Sequence, residues 1–152
     1  MDMRIEKMFC SDKQQITDWG PTEELTKRER DFMHLGWDID RTFYLEIIRI
    51  KKVTIPDEEF EMYDVRTCAS IGWESDNAHF SSTLDHQLLG TDAKFHPLEE
   101  VIEKKLWLQV GRGNGHKVRI ETVNKREGKH KVFHLVTEPL NNFMLNRLIH
   151  AS

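Results

Sequence analysis

The chain has 152 residues, 38% hydrophobic and 32% charged, with a net charge of −4. That length suits one folded domain, residues 1–152, and four Trp with eight Phe supply large core pieces, which excludes a disordered chain. No apolar run approaches the roughly 20 residues of a membrane span, and the opening "MDMRIEKMFCSDK" is too charged for a secretory signal. Only Cys10 and Cys68 occur, at no metal-like spacing, which points to a reduced, cytoplasmic protein.

In chain order, "DWGPTEELTKRERDFMHLGWD" (18–38) predicts a helix with a Pro near its start and Gly36 as its stop. Within it, "LTKRERDF" resembles the opening of the helix-turn-helix of bacterial response regulators. A recognition helix should follow, but "RTFYLEIIRIKKVTI" (41–55) is β-branched and aromatic and predicts a strand instead. Pro56 and the acids Asp57 to Glu59 form a turn, and "EEFEMYDVRTCASIGW" (58–73) predicts a second strand. "SSTLDHQLLG" (81–90) is expected to be a short helix capped by Ser82, with Asp85 three residues on and Gly90 at its end. "HPLEEVIEKK" (96–105) is another, with Pro97 in its first turn and Leu98, Val101 and Ile102 facing inward. "LWLQVGRGNGHKVRIETVNKREGKHKVFHLVT" (106–137) predicts three antiparallel strands joined as a meander. "EPLNNFMLNRLIHAS" (138–152) places Leu140, Phe143, Met144 and Leu148 at helical spacing, so a core-docking C-terminal helix is expected. The fold class is α+β: an antiparallel sheet ending in the three-strand meander, helices on one side, and a C-terminal helix.

Residues 104–134 hold nine Lys and Arg against two Glu, in a chain that is acidic overall. Strand register decides which of these share a face. A three-residue loop, Gly113 to Gly115, puts Val110 opposite Val118 and Leu108 opposite Ile120. A four-residue loop, Lys125 to Gly128, puts Arg119 opposite His134. The exposed face then carries Trp107, Gln109, Lys117, Arg119, Glu121, Val123, His130, Val132, His134 and Val136. Val118, Ile120, Thr122, Lys131, Phe133 and Leu135 face the core.

Three functions follow as expectations. The first is a small binding protein whose meander face contacts RNA or DNA phosphates through Trp107, Gln109, Arg112, Lys117, Arg119, Lys125, Arg126, Lys129 and His130. The second is a metal-independent ribonuclease on the same face, with Glu121 as base, His134 as acid and Arg119 as phosphate clamp. The order of elements, helices before a meander, is similar to that of small microbial ribonucleases and ribosome-dependent toxin nucleases. The third is an acidic inhibitor or viral accessory protein that meets a basic partner protein through Asp57, Glu58, Glu59, Glu61 and Asp64. Whether the chain is an enzyme, and its oligomeric state, are left open.

No metal or cofactor is expected. His130 and His134 lie on one strand about 13 Å apart, too far for one zinc with bonds near 2 Å. His79, Asp85 and His86 cluster without a diagnostic ligand spacing. "GRGNG" precedes a strand rather than a helix, so it is turn chemistry and not a phosphate loop. Neither "HFSST" nor "HLVT" is a nucleophile elbow.

Overall fold

Turn chemistry, more than helical periodicity, decides this backbone. The computed structural model describes residues 35–41, 44–54, 56–111, 113, 115–132 and 134–151. In chain order the elements are β1 (Leu35–Asp38), β2 (Tyr44–Ile47), β3 (Arg49–Thr54), β4 (Tyr63–Ala69), β5 (His79–Ser82), β6 (Gln87–Leu89) and β7 (Phe95–Pro97). Then come α1 (Leu98–Lys104), β8 (Leu108–Gln109), β9 (Lys117–Lys125), β10 (His134–Glu138), β11 (Asn142–Leu145) and β12 (Leu148–Ala151). All pairings are antiparallel. The strand orders are β1-β2, β10-β3, β11-β12-β6-β7 and β5-β4-β9-β8. Single bridges, Gly90 to Leu108 and Val110 to Leu148, tie the two four-stranded sheets together around the core. No described helix is long and apolar enough to cross a membrane.

The strands over 41–55 and 58–73 form as expected, the first broken at Ile48. The helix at 96–105 also forms, with Pro97 at its N-cap, Leu98 and Val101 buried and Ile102 packed at the core margin. The rest of the expected α+β arrangement is corrected. There is one α-helix among the described residues, no set of helices on one side of a sheet, and no C-terminal helix.

The C-terminal segment is a hairpin, β11 to β12. Asn146 and Arg147 both take positive φ (49° and 68°), which makes a two-residue turn whose twist matches paired strands. Leu145 then pairs with Leu148, and Phe143 with His150. The apolar spacing of Phe143, Met144 and Leu148 fits a helix stripe equally well, so only the turn separates the two.

Segment 81–90 is likewise a strand, a turn and a strand rather than a helix. Thr83 Oγ1 donates to Asp85 Oδ1 at 2.8 Å, and the His86 amide donates to the Thr83 carbonyl at 3.4 Å, closing a tight turn. The described end of the expected N-terminal helix, Leu35–Asp38, is strand β1. Gly36 does not stop a helix there: a Cβ on it would lie 2.9 Å from Ile48 Cγ2 and 3.0 Å from the Asn142 carbonyl, so it permits a close approach. The remainder of that segment, with its helix-turn-helix resemblance, lies outside the described residues.

The three-strand meander does not exist. β9 pairs with β8 on one side and with β4 on the other, while β10 pairs with β3. Arg119 therefore faces Cys68, not His134. The β8–β9 register also differs by two from the expected one: Leu108, not Val110, lies opposite Val118. The alternation survives, because a shift of two preserves which side each residue faces. The longer loop is held by Gln109, whose Nε2 lies 2.9, 2.8 and 3.2 Å from the Val110, Gly113 and His116 carbonyls. That is why Gln109 is buried rather than displayed. A register shift between Arg66 and Thr67 leaves Glu121 as an extra residue in β9. Val123 thereby turns inward to pair with Val65, and Val132 is fully buried, so neither belongs to an exposed face.

Candidate functional site

The side chains expected to meet on one face are dispersed. Lys117 and Arg119 both lie 4.5 Å from the centre of the Trp107 ring, which they flank as cations. Lys125 pairs with Glu61 at 2.7 Å, a bond that holds the Glu61 carboxyl below its usual range. Arg126 Nε donates to Asp64 at 2.8 Å, and its Nη2 to Ser81 at 2.9 Å. Lys129 lies near Glu61, and its charge also favours the ionised Glu61 carboxyl. Two cations of the basic stretch, Lys125 and Arg126, thus pair with two acids of the segment 57–64, Glu61 and Asp64. His130 Nε2 is spent on the Glu127 carbonyl at 2.9 Å. Glu121 is exposed on the bulge, and Arg112 lies outside the described residues.

His134 has a different neighbourhood. It opens β10, half-buried, near the imidazole of His86, which is bonded to that of His150, and a proton on it would oppose one on His86. These two form the most unusual polar constellation in the described chain. His86 is 1% exposed and His150 fully buried. His86 Nε2 lies 2.9 Å from His150 Nδ1, and His150 Nε2 lies 3.2 Å from the Leu145 carbonyl.

The tautomers follow from these partners. A carbonyl can only accept, so His150 Nε2 carries hydrogen. In the neutral ring its Nδ1 is then the acceptor, and His86 Nε2–H donates to it. The basic nitrogen of the pair is therefore Nδ1 of His86. Burial holds His86 well below the usual histidine value, with His150 and His134 adding to the effect. Burial pushes His150 down to about 3, against a partial opposing pull from the Leu145 carbonyl. Both rings are neutral at pH 7.

Local structure explains how two imidazoles come to be held in a core. On β12, Leu148 enters the main apolar cluster and Ile149 a second cluster with Trp37 and Leu89, so alternation returns His150 to the main side. There it stacks on Phe143, with ring centres 5.4 Å apart, and meets Phe80 edge-on at 5.3 Å. Strand β6 lies between β12 and β7, with Leu88 opposite both His150 and His96. His86 sits just before it, on the turn. The first two amides of α1 hold that turn from outside: Leu98 donates to the His86 carbonyl and Glu99 to the Leu84 carbonyl, each at 2.8 Å. Among the described residues, no group of three or more His, Cys, Asp or Glu is placed to hold a metal ion.

No protein-family model matches the sequence. No curated protein matches it either. Solved structures do. A bacterial intein-like domain from Clostridium thermocellum is similar with a TM-score of 0.62 at 14% identity, covering 96% of this chain and 99% of that one. A DnaB intein from Synechocystis sp. gives 0.61 at 20% identity, covering 90% and 85%. An intein from a hyperthermophile gives 0.60 at 12% identity, covering 79% and 71%.

These likenesses correct the functional expectations as well as the fold class. The RNA- or DNA-binding face, the ribonuclease on it and the acidic inhibitor or accessory protein are not what the structural neighbours are: those are inteins and an intein-like domain. The histidine pair was within reach of the sequence only as two facts, His86 in "STLDH" and His150 in "LIHAS", 64 residues apart. The missed signal was Asn146, a residue tolerant of positive φ between two apolar runs, which marks the hairpin that aims His150. The chain has the curled, antiparallel β architecture of the intein-like fold.

Proposed function

We propose that the chain is a protein-splicing or autoprocessing domain, whose substrate is a peptide bond of its own polypeptide. The fold likeness to inteins and to a bacterial intein-like domain supports the class. The observation that carries the reading is the buried, neutral, mutually bonded pair His86 and His150. Acyl transfer from a peptide bond requires a proton to leave the nucleophile and one to reach the departing amide nitrogen. The carbon–nitrogen bond breaks, the new bond to carbon forms, and no proton is gained or lost overall. A base at His86 Nδ1 can take the first proton. The Nε2 proton can then pass to His150 Nδ1, spreading the charge onto a ring braced by the Leu145 carbonyl. A dry site strengthens each of these interactions.

The test joins unrelated sequences to both ends of the chain and follows the products by mass spectrometry. Expected is first-order, concentration-independent scission or rejoining of the backbone, slowed by roughly a hundredfold or more in His86→Ala. Product masses give the bond attacked. A wild-type fusion that stays whole for days in reducing buffer at pH 6 and pH 8 would refute the proposal.

A further inference from the structure

His96 lies at the junction of β7 and α1, and its two ring nitrogens both meet carboxylates. Nδ1 is 2.9 Å from Glu100 Oε1, in the first turn of α1, and Nε2 is 2.8 Å from Asp92 Oδ2, in the turn between β6 and β7. Ionised carboxylates only accept, so both nitrogens must donate, and the ring that fits this geometry is the imidazolium. Lys104, 2.9 Å behind Glu100, is the next charge outward. The backbone amide of Lys94 fixes Asp92 through its other oxygen at 3.2 Å. Gly90 leaves room for the arrangement: a Cβ there would lie 2.7 Å from Asp92 Oδ1 and 3.1 Å from the His96 ring.

The two carboxylates belong to the elements that frame the turn carrying His86. Asp92 follows β6, which is continuous with that turn. Glu100 belongs to α1, whose first two amides hold the Leu84 and His86 carbonyls. A neutral imidazole has one N–H and one lone pair, so it can keep only one of the two bonds and turns a lone pair toward the other carboxylate.

We propose that charged His96 is a clasp that fixes α1 against the turn from Leu84 to His86, positions the buried histidine pair, and opens when it loses its proton. This rests on the self-processing reading only for its last consequence, that the reaction slows toward alkaline pH. Burial of the ring opposes its charge, but the bonds to Glu100 and Asp92 outweigh this and raise its protonation range above the ordinary histidine value. The clasp is therefore closed at neutral pH and opens as pH rises.

The experiment uses the full chain. The His96 ring is titrated by NMR, and protection factors of the Leu98 and Glu99 amides are measured by hydrogen exchange across the same range. Expected is a fall in protection, roughly tenfold, that follows the His96 titration. In Asp92→Asn the amide can donate to the lone pair of a neutral ring, so protection should persist and lose its pH dependence. His96→Leu can satisfy neither carboxylate and should be loose at every pH. Protection that stays flat while His96 titrates, or that keeps its pH dependence in Asp92→Asn, overturns the clasp whether or not the chain processes itself. A clasp that behaves as described in a fusion that never processes counts against the self-processing reading alone. Processing whose rate ignores the His96 titration overturns the positioning role.

Discussion

The outer face of the β4–β9 pair and the interior between β6 and β12 use polar groups in opposite ways. On the outside, Lys125, Arg126, Glu61 and Asp64 form pairs in contact with water, where screening leaves each contact weak. Inside, His86 and His150 are held neutral by burial, and each has its place fixed by a named partner. Many charges close in sequence therefore contribute little, while two uncharged rings far apart in sequence form a bonded pair in the core. Charge density marks where a chain is wet; a polar group kept in the core at a desolvation cost is the stronger pointer to chemistry.

Substitutions can break this contrast, and the largest effect belongs to the interior. His150→Ala removes a ring packed between Phe80 and Phe143 and leaves the His86 N–H without its acceptor. The expected loss is about 3–5 kcal/mol of unfolding free energy, read from urea denaturation.

Acid should act on the same region next. The folded values of His86 and His150 lie below the unfolded value near 6.5, so the unfolded chain takes up protons first. The stability they contribute is complete above about 6.5 and is lost as pH falls toward the folded value, about 3 for His150. Each histidine gives a slope of up to about 1.4 kcal/mol per pH unit. Urea midpoints between pH 6.5 and 5 isolate this effect from the carboxylates. His150→Phe should make the slope shallower, and an unchanged slope would mean that His150 is not the buried neutral ring described.

Gln109→Ala should cost about 1–3 kcal/mol, because the Val110, Gly113 and His116 carbonyls share its amide as donor. Faster exchange at the loop amides Gly113 and His116 would localise the change. The smallest effect is expected outside. Lys125→Ala breaks the pair with Glu61, yet both groups are solvated, so the urea midpoint should hardly move. A large shift there would erase the contrast between the two regions.

By itself the sequence determined what depends on neighbours along the chain. The β-branched and aromatic content of 41–55 yields strands, the segment 58–73 yields β4, the Pro97-led amphipathic segment yields α1, and side-chain parity along Leu108 and Val118 holds even though the loop between them is longer than expected. Tertiary structure alone decided which strands meet. Pairing energy is similar for many antiparallel partners, so β9 chooses β4 over β10 through burial of Val65, Val118 and Phe80 in one core, a long-range condition that no local window contains. The same holds for the site: His86 and His150 are ordinary residues in sequence, and become a neutral, bonded pair only because β6 and β12 lie side by side in the buried core.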